Sequence, residues 1–239
     1  DDHTRLDFKL CYERIDLVLG GATATEVASF VAAEGKQYKQ YKSTINWSNN
    51  TLNDFWYPTN GSSHGVSLDL ALPNSDLNFY QLGYNYRTFT PLNHSETLVF
   101  SAGARVGVVG AYGATSTAPF FANYYGGGFG SVRGFAFNSL GPKNSIGEPL
   151  GGQLLTTAST ELIFPLFNDM PSVRTSLFMD VGNVYQSGAF STGELRVSAG
   201  LNLSWLTPVG PLTLVVANPL NQNSGDKTQS THITLGRSF

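Results

Sequence analysis

The feature that most constrains this chain is a repeated alternation of apolar and polar residues in long segments separated by turn-forming residues. In one segment Leu201, Leu203 and Trp205 alternate with Asn202 and Ser204. A period of two places successive side chains on opposite faces of a β-strand. About ten such segments can be counted, so the sequence predicts an all-β protein.

The predicted strands lie near residues 4–17, 37–52, 66–72, 80–86, 98–108, 154–164, 173–185, 195–206, 212–217 and 229–239. The segment 22–35 follows two glycines and is compatible with a short helix or with a loop excursion. Alanine and glutamate favour the helix, but the length is marginal. A second long segment, roughly 109–153, separates two clear strands, and a loop of that length inside a β protein is usually functional.

Strand length and charge favour a membrane protein over a soluble sandwich. Membrane-spanning strands need about 9 to 11 residues, whereas strands of soluble proteins average about five or six. Only 13% of the residues are charged, against about 25% in soluble domains. The sequence contains no breaker-free apolar run of about 18 residues, so it predicts no membrane-spanning helix.

The connections and aromatic residues fit the same class. Tight connections such as TPVGP alternate with longer polar ones such as NQNSGDKTQS, as in outer-membrane barrels. We expect Phe55, Trp56 and Tyr57 to lie at a membrane interface, where amphipathic rings are enriched. The predicted fold is a transmembrane, antiparallel, up-and-down β-barrel.

One long loop, Tyr124–Pro142, is expected to fold back onto this wall. It reads YYGGGFGSVRGFAFNSLGP, combining glycines that permit unusual backbone conformations with aromatic residues that are costly to expose. Its single charge is Arg133. An arginine in a loop is commonly solvated, and that alternative stands beside one in which Arg133 is buried against carboxylates.

No chemistry of a familiar enzyme is indicated. The four histidines, His3, His64, His94 and His232, lie in different segments without a nucleophile motif. The glycine run lacks the Lys-Ser/Thr of a phosphate-binding loop, and no metal-ligand spacing is present. The formal net charge is −3 and the basic residues are not clustered, which argues against a nucleic-acid partner. We therefore expect a non-enzyme without a metal or cofactor.

The sequence VRGF, Val132 to Phe135, followed by GPK resembles the signature loop of the BamA family of bacterial outer-membrane barrel assembly factors. The resemblance runs from about Leu6 to Phe239 and includes TELIF, FMDVG and TPVGPL. In that family the loop enters the barrel, and its arginine meets acidic residues of the inner wall. Matched by motif, the loop-anchoring residues are Arg133, Glu161 and Asp180, with Val132, Gly134 and Phe135 completing the loop motif. The period-two pattern independently places both carboxylates inward.

The resemblance also implies a location, partners and an end-of-chain signal. The terminal HITLGRSF resembles the carboxy-terminal strand signal of such barrels, carried by Ile233, Leu235, Gly236 and Phe239. An integral protein of the bacterial outer membrane would contact the lipid bilayer, unfolded outer-membrane clients and accessory lipoproteins. Family barrels have about sixteen strands preceded by periplasmic POTRA domains. We therefore expect residues 1–239 to be one C-terminal barrel domain without its POTRA domains and first strands. A translocation or secretion pore of the same superfamily, or a passive channel, is the alternative.

Overall fold

The computed structural model describes residues 2–167 and 169–236. The strands are β1 (Thr4–Asp16), β2 (Gln37–Asn50), β3 (Gly61–Ala71), β4 (Phe79–Pro91), β5 (Val99–Ala111), β6 (Gly134–Phe135), β7 (Leu154–Pro165), β8 (Val173–Tyr185), β9 (Arg196–Thr207), β10 (Gly210–Pro219), β11 (Thr228–Gln229) and β12 (Thr231–Leu235). One α-helix, α1, spans Thr25–Glu34. Of the two alternatives for residues 22–35, a short helix or a loop excursion, the structure has the helix.

Ten of these strands form one antiparallel sheet in which each strand pairs with its neighbours along the chain. The order is β1-β2-β3-β4-β5-β7-β8-β9-β10-β12. The two short strands β6 and β11 pair separately with each other. The predicted antiparallel, up-and-down β-barrel fold is thereby confirmed.

The outer face of the sheet is apolar and open. Cross-strand register continues this face from Trp47 through Val66 and Tyr84 to Val106. The exposed large apolar side chains of the strands are Leu6, Phe8, Leu10, Tyr12, Tyr41, Ile45, Trp47, Leu82, Tyr84, Phe100, Val106, Leu177, Met179, Leu201, Trp205, Leu214, Val216, Ile233 and Leu235. A soluble monomer does not expose an apolar surface of this extent, so the outer face is suited to contact with lipid.

The opposite face is polar and largely buried. Ser101, Glu161, Asp180, Arg196 and Ser198 all lie on it and are buried. The sheet is curled around this face, because side chains of β4 and β10 line one cavity of about 160 Å³. The curl encloses a polar lumen.

The longest connections lie at one end of the strands, although 51–60 at the other end is longer than 72–78. Connections 17–36, 72–78, 112–153, 186–195 and 220–230 lie at one end, and connections 51–60, 92–98, 166–172 and 208–209 lie at the other. The asymmetry predicted from sequence is present, with its extreme in 112–153.

Helix α1 belongs to a cap at the long-loop end. The Phe30 ring packs edge-on against Phe120 at a centroid distance of 5.6 Å. The backbone N–H of Ser145 donates to the Glu26 carboxylate at 3.0 Å and lowers the pKa of that group. Among the described residues, no helix is long and apolar enough to cross a membrane.

The predicted strand 229–239 is wrong at its start. Gln229 leaves the main sheet, because its backbone pairs with Gly134 of the long loop, and Thr228 pairs with Phe135. The main sheet resumes at Thr231 and continues to Leu235. Residues 237–239 lie outside the described ranges.

Candidate functional site

Two neighbouring strands form a cradle on the inner wall. In the register of β7 and β8, Ser159 lies opposite Asp180, and Glu161 lies opposite Phe178. The four residues have inward parity, so they form two adjacent rungs of one ladder. A hydroxyl, two carboxylates and an aromatic ring therefore face the lumen together.

Arg133 of the long loop lies in this cradle. Its Nε donates to Asp180 Oδ2 at 2.7 Å and its Nη2 donates to Asp180 Oδ1 at 2.6 Å. Its Nη1 donates to Glu161 Oε1 at 2.7 Å, and Nη2 also donates to Ser159 at 3.0 Å. The backbone N–H of Arg133 donates to Asp180 Oδ2 at 3.0 Å. The planar fork of a guanidinium suits this set of acceptors, which an ammonium could not satisfy.

The cluster is removed from solvent. The side chains of Arg133, Glu161 and Asp180 are 8%, 9% and 0% exposed. The Arg133 Cζ lies 3.5 Å from the centroid of the Phe178 ring, a cation–π contact. A Cβ at position 200 would lie 2.8 Å from that ring, so Gly200 provides the space in which Phe178 rests on the wall.

The rest of the VRGF motif holds the loop in shape. Gly134 has a φ of +91°, a left-handed conformation that other residues adopt only with strain. Val132, Phe135 and Leu140 are almost completely buried and form a small apolar cluster of their own. The apolar cluster and the glycine conformation fix the loop backbone that presents Arg133 to the wall.

A second contact, not indicated by the sequence, holds the loop from the other side. We call residues 221–230 the latch segment. The backbone N–H of Ala136 donates to the Lys227 carbonyl at 2.8 Å, beside the pairing of β6 with β11. The latch segment is itself fixed by Asp226, whose Oδ2 accepts from Arg196 Nε at 2.5 Å. The side chains of Arg196 and Asp226 are 8% and 10% exposed.

The sequence-derived site residues fall into two groups. The structure brings Arg133, Glu161 and Asp180 together. Of the carboxy-terminal set, Ile233 and Leu235 are exposed on the outer face of β12, and Gly236 follows that strand with a φ of +102°. Phe239 lies outside the described residues.

Sequence reasoning missed Ser159, Phe178 and the Arg196–Asp226 pair. The inward parity of Ser159 and Phe178 was readable from their strands, but the contact of each with Arg133 depends on where the loop descends. The Arg196–Asp226 pair joins a strand to a polar loop, and no local pattern marks it.

The aromatic cluster differs from the expectation of a membrane interface. Phe55 and Trp56 are exposed, but residues 55–57 all line cavities of the lumen. The Tyr57 hydroxyl donates to the backbone carbonyl of Ser172 at 2.9 Å. The hydroxyl therefore finds its partner on the far wall, which a local reading of the aromatic cluster could not indicate.

The ion pairs of the cluster join the long loop to the inner wall. Among residues 2–167 and 169–236, no group of three or more His, Cys, Asp or Glu side chains is arranged to hold a metal ion. A carboxylate pair neutralised by a buried guanidinium does not serve as a free general base. The arrangement fixes a loop inside a wall.

An apolar outer face, a polar lumen and a loop anchored within it together define an outer-membrane type of β-barrel with an internal loop. Comparison with known proteins identifies the family. The model of the Omp85 superfamily domain matches residues 1–239, and the chain belongs to that superfamily.

Particular relatives are similar over the barrel. The chain is 34% identical to a Neisseria meningitidis serogroup B protein named outer membrane protein assembly factor BamA, across 100% of this chain and 34% of that protein. A protein of the same name from Nitratidesulfovibrio vulgaris is 29% identical over 47% of this chain and 14% of its own length. The crystal structure of BamA from Haemophilus ducreyi lacking POTRA domains 1–3 superposes with a TM-score of 0.90 at 27% identity, covering 98% of this chain and 51% of that chain. The chain thus spans about a third of the first relative and about half of the solved chain.

Proposed function

We propose that this chain is the barrel core of an outer-membrane protein assembly factor, which catalyses the folding and insertion of β-barrel proteins into the bacterial outer membrane. The observation that carries the proposal is the burial of Arg133 between Glu161 and Asp180 inside a wall whose outer face is apolar. The names of the relatives, which share this fold across the whole chain, support the same function.

The last strand offers a site for a client strand. Among the described residues, β12 spans Thr231–Leu235 and pairs with β10 from Leu212 to Val216. An edge strand presents backbone donors and acceptors, to which an incoming strand can add by main-chain hydrogen bonds. We propose that the carboxy-terminal set Ile233, Leu235, Gly236 and Phe239 acts at this edge as the strand signal of the barrel itself.

The anchored loop would stabilise the wall while a client strand pairs with the edge of β12. The loop leaves from β5, contacts β7 and β8 through Arg133, and reaches the latch segment next to β12 through β6. It therefore connects the middle of the sheet to its last hairpin. In this proposal Arg133, Glu161 and Asp180 are loop-anchoring residues, and Val132, Gly134 and Phe135 shape the loop.

Partners follow from the same function. The lipid bilayer would contact the outer face, and unfolded outer-membrane proteins would be the clients. Accessory lipoproteins would bind outside the barrel, through the periplasmic POTRA domains that family members carry. The assembly step makes and breaks no covalent bond, so the protein would act without an enzyme's catalytic group or a cofactor.

A channel is the second candidate, and one observation favours it. A cavity of about 510 Å³ remains in the lumen, and its lining includes Arg87 and Arg105 together with the Arg133 cluster. A cavity of this kind could pass ions if the loop were displaced. Steady, large conductance of the intact protein in planar bilayers would favour the channel, whereas a closed or flickering record would favour the assembly factor.

The assembly function is tested with liposomes that contain the intact protein. A urea-unfolded client barrel is added, and its folding is followed by the change in gel mobility between heated and unheated samples. We expect faster client folding than in empty liposomes of the same lipid. Equal rates, with the protein verified as inserted, would overturn the proposal.

A further inference from the structure

The connection between β2 and β3, residues 51–60, crosses the lumen at the short-connection end. We call it the crossing turn. The Tyr57 hydroxyl donates to the carbonyl of Ser172 at 2.9 Å and lies 3.1 Å from that of Ser204. Arg174 Nη1 donates to the Tyr57 carbonyl at 3.2 Å, and its Cζ lies 4.6 Å from the centroid of the Tyr57 ring. The turn is therefore bound to β8 and β9, on the far wall.

The contact between the crossing turn and β8 runs across the barrel interior and not along the wall. β3 and β8 are separated by β4, β5 and β7 in the sheet. Neighbouring strands lie about 4.8 Å apart, so the path along the wall is about 19 Å. A connection that starts at β2 and reaches β8 must pass beneath the lumen.

The crossing turn is stiffened by its own polar side chains. Asn53 Oδ1 accepts the backbone N–H of Thr59 at 3.0 Å, and Asp54 Oδ1 accepts that of Tyr57 at 2.6 Å. The Thr59 hydroxyl donates at 2.5 Å to Glu96, in the neighbouring connection. These hydrogen bonds hold the crossing turn in one conformation, so it is not a free loop.

Two obstructions therefore lie one above the other. A cavity of about 160 Å³ is bounded by Trp56, Tyr57 and Pro58 on one side and by Phe129 of the long loop on the other. The larger cavity of about 510 Å³ likewise has Asp54 and Phe55 together with Phe129 in its lining. Both cavities thus have residues of the long loop and of the crossing turn in their lining.

We propose that the crossing turn is a second constriction of the lumen, in series with the long loop and held shut by Tyr57 and Arg174. Each constriction resists ion flow, and resistances in series add. Opening one leaves the other limiting, so conductance rises fully only when both are released. The proposal requires the barrel to lie in a membrane but does not require assembly activity, so a negative client-folding result leaves it standing.

The test compares variants of the intact protein in planar bilayers. Tyr57→Phe with Arg174→Gln releases the crossing turn, Arg133→Ala releases the long loop, and a third protein combines all three substitutions. Tyr12→Phe, on the lipid-facing side of β1, is the matched control. We expect small conductance changes in the first two proteins and a several-fold larger conductance in the combined one. The proposal is wrong if adding the crossing-turn changes to Arg133→Ala changes nothing, or if they open the channel alone.

A cross-linking measurement covers the case in which these variants fail to fold. Tyr57→Cys and Ser204→Cys are introduced together in a Cys11→Ser background and treated with a short bifunctional thiol reagent. Because the Tyr57 side chain spans the gap to Ser204, we expect efficient cross-linking within the folded chain. Absence of the cross-link in a folded, inserted protein would show that the turn does not cross the lumen.

Discussion

Asp180 accepts hydrogen bonds from both the guanidinium and the backbone N–H of Arg133. The side-chain contacts are 2.7 Å and 2.6 Å, and the backbone contact is 3.0 Å. Ser159 donates a further hydrogen bond at 2.7 Å to the same carboxylate. Asp180 therefore fixes both the side chain of the loop arginine and the path of the loop backbone.

Replacing Arg133 with Ala should loosen the loop. Two carboxylates would remain buried without their cation, and breaking a buried pair costs about 3–5 kcal/mol. We expect the lower end because part of the lumen is wet, with faster protease cleavage between Gly126 and Asn138. Arg133→Lys should rescue partly, since an ammonium cannot present a planar fork. An unchanged cleavage rate would mean that Arg133 does not anchor the loop and is a solvated loop residue.

The two carboxylates should differ in importance. Asp180→Asn should destabilise the folded protein by about 3 kcal/mol, whereas Glu161→Gln should cost about 1.5 kcal/mol. Asp180 is fully buried and meets the arginine at three points, while Glu161 meets it at one. Asp7→Asn, in an exposed pair, should leave the free energy of unfolding nearly unchanged. Urea titration in lipid measures all three, and equal losses at the two buried sites would contradict the assignment.

Adjacent residues of β9 should respond oppositely to a charge. Leu201 is half exposed on the outer face, and Arg there should destabilise by about 2–4 kcal/mol if it meets the bilayer interior. Asn202 lines the lumenal cavities, so Asn202→Arg should be tolerated. The fraction of each variant that folds into liposomes is the readout. Equal tolerance would mean that the outer face does not meet lipid.

Removing the Asp226 carboxylate should free the latch segment. Asp226→Ala leaves the buried Arg196 without its ion pair, at a cost of about 3 kcal/mol. Cleavage near Lys227 should accelerate, and the pairing of β6 with β11 should weaken. Asp7→Asn, which breaks an exposed pair on β1, is the control and should change neither.

The wall was predictable because its pattern is local. Lipid and lumen impose a period of two on every strand, so β8 was placed at residues 173–185 from sequence and occupies the same residues in the structure. The same parity put Glu161 and Asp180 inward. Their contact with Arg133 came from a family resemblance, since parity does not say where a loop descends.

Contacts across the lumen were not predictable. Tyr57 meets Ser172 and Ser204 because the sheet curls enough to bring β3 toward β8, and curvature is a property of the whole sheet. Gln229 likewise left its expected strand because the loop backbone at Gly134 offered a competing partner. Both errors occur where a connection meets an element distant in sequence.

Hydrogen–deuterium exchange of peptide 126–142 in the intact, lipid-embedded protein tests the anchoring most directly. Its backbone N–H groups at Arg133, Ala136 and Leu140 donate to Asp180, Lys227 and Gly126. An anchored loop predicts slow exchange across this peptide and a large acceleration in Arg133→Ala, with Asp7→Asn unchanged. Exchange as fast as in an unstructured peptide, or identical rates in Arg133→Ala, would contradict it.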